Sequence, residues 1–251
     1  MSQFETKPGV RMPKPEDNRP KRFYTAVTVG EGEGGWSVLL DGRAVKTPAK
    51  QLLQAPTQAL AEMLAAEWDA QGERIDAPRM PVNRLSFVAL DLMRDAHAAT
   101  VAEVTRYATT DLLCFRAPEP TELVAAQAAA WDPMLAWSEA ELGARLIAAT
   151  GVLPVDQDPV ALQAIHARAL TLDPWRLTGL AHATAVSGSA VLGFALLLGR
   201  LDGETAHALS TLDEAWQASH WGEDAEATER LEGLRGELVA VERLLRALDA
   251  S

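Results

Sequence analysis

The side chains best placed to do chemistry lie in the stretch 209–223, where polar and aromatic residues recur at helical spacing. One predicted stripe can enter a core and consists of Leu209, Leu212, Trp216 and Ser219. The neighbouring stripe combines a carboxylate, an amide and a large ring, in Glu214, Gln217 and Trp221. Gly222 predicts the end of the helix, which leaves the Trp221 ring on the last turn, near the surface. An exposed tryptophan beside a glutamate suggests a recognition surface; the alternative is that Trp221 packs into the core.

Other catalytic and ligand-binding patterns are incomplete. The run 42–47 (Gly-Arg-Ala-Val-Lys-Thr) lacks the second glycine of a phosphate loop and no helix follows it, so we expect no nucleotide site there. The five histidines show no paired spacing with carboxylates, which predicts no metal site. The run 187–189 (Ser-Gly-Ser) lacks the frame of a nucleophile elbow. Cys114 lies near Arg116, which could lower the thiol pKa, but a cysteine without a placed histidine is usually structural. With no carboxylate pair suited to acid–base work, an enzyme is the weaker class, and we expect no cofactor.

Charge and cysteine content restrict the partners and the compartment. The 251 residues carry a formal net charge of -12, which disfavours nucleic acid because phosphate contacts depend on clustered lysine and arginine. A single cysteine excludes an intramolecular disulfide and favours a reducing compartment. Residues 1–22 lack the apolar region of a secretory signal, and their prolines and basic residues predict an extended lead-in.

The most hydrophobic segment, 177–199, contains no Lys, Arg, Asp or Glu, and its one titratable side chain is His182. About 20 such residues could span a bilayer. The polar residues and glycines within the segment dilute its apolarity, and the Ser-Gly-Ser run at 187–189 predicts a break between two short helices. We therefore expect a buried helix pair and no membrane span.

The apolar period changes from two to about 3.6 near Pro56, which divides the chain. Alternation predicts strands over 23–29, 36–40, 44–47 and 52–54, with Asp41-Gly42 as a tight hairpin turn. Residues 111–116 are predicted to be short, extended or irregular. Helices are predicted over 56–72, 80–95, 98–108, 121–137, 139–150, 160–171, 174–186, 189–199, 204–221 and 225–248. The sequence therefore predicts an α+β fold, with a basic lead-in over 1–22, a small antiparallel β domain over 23–55 and a larger all-helical domain over 56–251.

The last predicted helix carries two interleaved seven-residue series on one face. These are Leu231, Leu238 and Leu245, and Leu234, Val241 and Leu248. Because a coiled coil usually needs at least about three to four heptads, packing against a neighbouring helix of the same chain is favoured over dimerisation. We expect a monomer.

Several short motifs occur in a specific order. They are Arg22-Phe23-Tyr24, Leu40-Asp41-Gly42-Arg43 with Lys46-Thr47-Pro48, Ala66-Glu67-Trp68-Asp69-Ala70-Gln71, Met80-Pro81, Asp111 to Arg116, Gln127 with Trp131-Asp132-Pro133, and Asp213, Glu214, Gln217 and Trp221-Gly222. Through their order and spacing the chain resembles the ATP12 family of F1-ATPase assembly chaperones over nearly its full length, from about Arg22 to the last helix.

The resemblance implies a small N-terminal β domain joined to a larger helical domain, in agreement with the strand and helix patterns. It also implies a function, which is to hold the F1 α subunit before it pairs with the β subunit. In that family a glutamate in the helix before the Trp-Gly pair is functionally important, and Glu214 best matches it here. Asp213 stands where relatives often have a second glutamate, so the assignment between these two neighbours stays open. We expect Gln217 and Trp221 to contribute to the same contact.

The resemblance also bears on location. Eukaryotic members of the family carry a mitochondrial presequence, whereas residues 1–22 contain acidic residues that weaken such a reading. We therefore expect a bacterial cytoplasmic protein, or a protein of the mitochondrial matrix if the chain is eukaryotic. Two other functions stay open: a small-molecule enzyme that uses the cleft between the β and helical parts, and a helical adaptor for a different partner.

Overall fold

A four-stranded antiparallel sheet forms the first part of the fold. The computed structural model describes residues 17–222 and 224–250, so most of the predicted lead-in, residues 1–16, lies outside the described residues. The strands are β1 (Val27–Gly32), β2 (Gly35–Leu40), β3 (Arg43–Ala44) and β4 (Gln54–Ala55). Strand β2 pairs with the other three, with Val27 opposite Leu40 and Ala55 opposite Trp36.

The hairpin between β2 and β3 turns at Asp41 and Gly42, as predicted. Both residues have a left-handed backbone, with φ values of 47° and 79°, which a two-residue hairpin turn requires. The Asp41 carboxylate accepts hydrogen bonds from the N–H of Ala26 (2.8 Å) and the hydroxyl of Thr25 (2.9 Å). These bonds hold the pKa of Asp41 below its ordinary value and tie the turn to the residues before β1.

The remaining chain is mainly helical, which confirms the predicted α+β class. Within residues 17–222 and 224–250 the helices are α1 (Gln58–Asp69), α2 (Pro81–Asp91), α3 (Met93–Thr109), α4 (Thr121–Trp137), α5 (Pro159–Leu170), α6 (Pro174–Ser187), α7 (Ala190–Leu197), α8 (Gly203–Ser210), α9 (Leu212–Trp221) and α10 (Ala225–Asp249). Asp158, Asp173 and Asp202 cap the first turns of α5, α6 and α8 with their side chains. Helix α4 has the bounds that its sequence predicts.

Strand β1 begins at Val27, later than predicted, because Tyr24 contacts α1, and Thr25 and Ala26 bond the side chain of Asp41 at the hairpin turn. The Tyr24 hydroxyl donates a hydrogen bond to the carbonyl of Trp68 on α1 (2.7 Å), and the two rings pack edge to face. Tyr24 is therefore buried, whereas Phe23 is 72% exposed. Residues 23–26 therefore lie outside the strand that the alternation predicts over 23–29.

The segment 139–150 is helical only as far as Leu142, so the prediction of a helix is wrong for residues 143–150. One wide helical turn continues α4 over Ser138–Leu142, and Gly143 then ends it with a left-handed backbone (φ 69°). The chain leads into β6 (Ala149–Thr150), which pairs in parallel with β5 (Phe115–Arg116). Pairing with β5 outweighs the intrinsic helix propensity of this alanine-containing segment.

The predicted helix 204–221 is divided into α8 and α9. Thr211 lies at the junction, and its hydroxyl donates a hydrogen bond to the carbonyl of His207 (2.8 Å). Since the helical phase restarts at Leu212, the predicted inner stripe is not continuous. Leu209 and Leu212 pack against the core, whereas Ser219 is exposed.

The apolar segment 177–199 forms the buried helix pair that its sequence predicts. Gly188 ends α6 with a left-handed backbone (φ 69°), and Ser189 caps α7. At Gly193 a Cβ would lie 2.4 Å from the Thr184 hydroxyl, so α7 packs directly on α6 at this point. Among the described residues, no helix combines the length and apolarity needed to cross a membrane.

Two groups of buried apolar side chains form the interior. The first joins the sheet to α1, α2 and α10, and the second lies mainly among helices α3 to α7. On α10, Leu238, Val241 and Leu245 are buried in the first group, so the leucine face of this helix packs within its own chain, as predicted. The predicted domain limits at residues 22 and 55 stay predictions.

Candidate functional site

Helix α9 carries the side chains predicted to form a recognition surface. None of its residues is fully buried, and Gly222 ends it with φ 95°, as the sequence predicts. Trp221 on the last turn is 75% exposed. Its ring packs edge to face on Trp216, which itself stacks on His220 with 4.0 Å between the centroids. Trp221 is therefore held by aromatic neighbours on its own helix while most of its surface contacts solvent.

Glu214 and Gln217 lie on the accessible part of the same helix. The Glu214 side chain is 43% exposed and lies 3.8 Å from the guanidinium of Arg230 on α10. At this distance and exposure the ion pair contributes little to stability. Gln217 is exposed. Both polar side chains can therefore replace hydrogen bonds to water with hydrogen bonds to a partner at a small cost in free energy.

Asp213 is used differently, although it directly precedes Glu214. Its Oδ1 accepts a hydrogen bond of 2.7 Å from Nε2 of Gln127 on α4. The Gln127 side chain is 1% exposed, and its Oε1 accepts a second bond of 2.8 Å from the N–H of Ala117. A buried amide thus joins α9 to the residue after β5, and Asp213 faces the protein interior.

Trp131 provides a second anchor for this corner of the fold. The buried indole donates a hydrogen bond from Nε1 to the carbonyl of Leu209 at the end of α8 (2.9 Å). Arg116 lies over the indole ring at 5.4 Å and forms an ion pair with Asp132 (2.8 Å). The motif residues of α4 therefore support the junction from which α9 starts.

In the sequence Gln127 and Trp131 are recognised only as motif residues, and the contacts of Gln127 with α9 and of Trp131 with α8 are not predicted. The signal in the sequence that these residues are buried is their spacing along α4. Leu123, Gln127, Trp131 and Met134 recur at helical intervals and all are buried. A glutamine on such a face needs internal hydrogen-bond partners, although spacing alone does not identify them.

Cys114 lies on the buried side of the short helical turn before β5. Burial raises the pKa of its thiol to about 12, and the charge of Asp111 acts in the same direction against the smaller opposite effect of Arg116. The thiol is therefore protonated and unreactive at neutral pH. Among residues 17–222 and 224–250, no group of three or more His, Cys, Asp or Glu side chains is placed to hold a metal ion.

A groove of about 540 Å³ lies beside the sheet and α1, close to where the sequence suggested a cleft. Its lining comprises Phe23, Tyr24, Leu40, Asp41, Arg43, Ala44, Val45, Lys46 and Trp68. Among the described residues that line it, Asp41 is the only carboxylate, and it already accepts hydrogen bonds from Thr25 and Ala26. This described lining therefore offers no carboxylic acid with a raised pKa for proton transfer.

Comparison with known proteins gives a consistent result. The family model described as ATP12 chaperone protein matches residues 21–139. The mitochondrial protein atp12 of Schizosaccharomyces pombe is 26% identical over 262 residues, which cover 98% of this chain and 88% of that protein.

Solved structures extend the similarity to the fold. Atp12 from Paracoccus denitrificans is 42% identical with a TM-score of 0.85, covering 91% of this chain and 98% of that chain. The Atu1473 protein from Agrobacterium tumefaciens is 43% identical with a TM-score of 0.86, covering 91% of this chain and 86% of that chain. The resemblance predicted from the sequence is confirmed, and the chain belongs to the ATP12 chaperone family.

Proposed function

We propose that this chain holds the unassembled α subunit of the F1 sector and is displaced from it by the β subunit. Membership of the ATP12 family supports the coarser part of this statement, a chaperone role in ATP synthase assembly. The observation that carries the finer part is the geometry of α9. This helix has no buried residue and presents Glu214, Gln217 and Trp221 to solvent.

The three side chains have complementary roles in this proposal. Trp221 supplies apolar area, and a large ring on an accessible helix end is the type of residue that dominates binding energy. Glu214 and Gln217 orient the partner through hydrogen bonds to its polar groups, which are stronger where they involve the carboxylate. Asp213 supports the helix from within through Gln127, so we assign the contact to Glu214 and the supporting role to Asp213.

Release requires no chemistry by this chain. An unassembled subunit exposes the apolar surface that its neighbour later covers, and a protein that covers this surface reversibly protects it from aggregation. The β subunit offers a larger interface and displaces the chaperone by competition. We accordingly propose that the chain is not an enzyme and acts as a monomer, in the cytoplasm for a bacterial source.

Capture of purified α subunit by the immobilised chain tests the proposal, with β as the control subunit. We expect selective capture of α, release on addition of β, and binding weaker by roughly 10-fold or more for Glu214→Lys, as for a central contact. Glu62→Lys is the matched control, because Glu62 is an exposed glutamate on α1 and undergoes the same charge change. Equal capture of α and β by the unaltered chain, or capture of neither, would refute the proposal. Equal loss in both variants would remove Glu214 from the contact.

A further inference from the structure

Exposed apolar side chains are concentrated in one segment away from α9. We call residues 147–160 the apolar loop. It contains Val152, which is 89% exposed, Leu153 at 79% and Val160 at 72%, together with the less exposed Ile147 and Val155. By contrast, Trp221 is the single exposed large apolar side chain of α9. Clusters of this kind are uncommon on free protein surfaces and usually mark a contact with another molecule.

The base of the apolar loop is fixed, so its tip is presented to solvent in a defined way. The buried Gln157 side chain bonds both backbone groups of Ile147, accepting from its N–H (2.7 Å) and donating to its carbonyl (3.0 Å). On the other side of the tip, the N–H of Gly151 donates to the carbonyl of Arg116 on β5 (2.8 Å). Val152, Leu153 and Val155 lie between these two anchors, which hold both ends of the tip against the rest of the fold.

The same scaffold supports both the apolar loop and α9. Strand β5 pairs with β6 at the start of the loop. The residue after β5 is Ala117, and its N–H donates a hydrogen bond to the side chain of Gln127. Gln127 in turn donates to Asp213 on α9. The two exposed features are therefore connected through one short series of backbone and amide hydrogen bonds.

We propose that the apolar loop is a second contact surface for the partner held by α9, and that it covers the apolar assembly face of an unassembled ATP synthase subunit. This inference rests on the proposed function and adds the surface that supplies most of the apolar area. Asp156 and Asp158 lie between Val155 and Val160 in the loop, and both are exposed. Their charge favours a partner face that is apolar at its centre and basic at its rim.

The test is a double substitution at the loop tip, Val152→Ser with Leu153→Ser, in the full-length chain. We expect capture of the α subunit to weaken by roughly 10-fold or more, because two large exposed apolar side chains are lost from the interface. Suppression of light scattering by α diluted from denaturant should fall in parallel. The control is Val88→Ser with Leu92→Ser, an exposed pair at the end of α2 that undergoes the same chemical change.

The outcomes separate this inference from the proposed function. If the unaltered chain captures α and the loop variant captures it within about twofold, the loop inference is overturned and the assignment to α9 is unaffected. If the unaltered chain captures no α, both fail. A benzoylphenylalanine at position 152 provides a readout independent of variant stability, and absence of crosslinks to captured α overturns the inference. Sedimentation that shows self-association through the loop, not relieved by α, also overturns it.

Discussion

The contact between Gln127 and Asp213 allows a sharp test of how α9 is held. In Gln127→Glu, the atom that donates to Asp213 becomes a carboxylate oxygen, while the oxygen that accepts from Ala117 is retained. The change leaves size and shape almost constant. It therefore replaces one hydrogen bond of 2.7 Å by a repulsive contact and alters little else.

The expected cost follows from burial and charge. A hydrogen bond to a charged group contributes about 1.5–3 kcal/mol, and leaving buried charges without partners costs about 3–5 kcal/mol. Gln127 is fully buried but Asp213 is half-buried, so solvent relieves part of the repulsion. We expect the free energy of unfolding to fall by about 3 kcal/mol at pH 7. In acid the carboxyl introduced at position 127 is protonated and can donate to Asp213. The pKa of this introduced carboxyl is therefore raised in the folded state. The deficit should therefore be small below about pH 4 and grow as the pH rises.

A second substitution restores the contact with its polarity reversed. Asp213→Asn places an amide donor opposite the new carboxylate, so Gln127→Glu with Asp213→Asn should recover about 2 kcal/mol of the loss. Urea denaturation of the two single variants, the double variant and the unaltered chain measures the coupling. Additive effects of the two substitutions would show that the side chains do not interact and would refute the proposed support of α9.

Three further predictions concern the interior. A Cβ at Gly203 would lie 2.6 Å from the Cα of Val239, so Gly203→Ala should lower the free energy of unfolding by at least about 2 kcal/mol. Gly233 on α10 faces open space, so Gly233→Ala should raise the free energy of unfolding by about 0.5–1 kcal/mol. Equal effects in urea denaturation would contradict this. Burial raises the pKa of Asp111 from 3.8 to about 6, so its protonated form favours folding, and the stabilisation present below pH 3.8 is lost as the pH rises toward 6. Up to about 3 kcal/mol of pH dependence should separate the unaltered chain from Asp111→Asn, and identical profiles would refute it. Iodoacetamide at pH 8 should label Cys114 at least ~100-fold more slowly in the native chain than in urea, and rapid native labelling would exclude a buried thiol.

The parts of the fold that could be predicted from the sequence depend on neighbouring residues. Asp41 and Gly42 specify a tight turn because both tolerate a left-handed backbone. Gly188 followed by Ser189 specifies a helix end and a helix start, which is why the break in the apolar segment 177–199 lies where it was predicted. The period of the apolar residues then distinguishes the sheet from the helices.

The predictions of local structure are wrong where a contact with a distant part of the chain determines that structure. Residues 144–150 have no strong helix-breaking signal after Gly143, yet Ala149 pairs with Phe115, far earlier in the chain. The alternation from Phe23 to Val29 predicts a strand, yet the hydrogen bond from Tyr24 to Trp68 removes the first residues from the sheet. Neither partner can be identified from local composition, because each lies on another element.

The same limit explains why Asp213 and Glu214 could not be separated from the sequence. Adjacent residues on a helix point about 100° apart, so one can face the protein while the other faces solvent, but helical spacing alone does not say which. The direction is set by Gln127, a polar residue on the buried face of α4 whose Nε2 needs an acceptor. Asp213 satisfies that need, and Glu214 is thereby left beside Arg230 with much of its side chain exposed. The position of Glu214 therefore depends on a buried side chain of another helix, and the paired substitutions at Gln127 and Asp213 measure the strength of that contact.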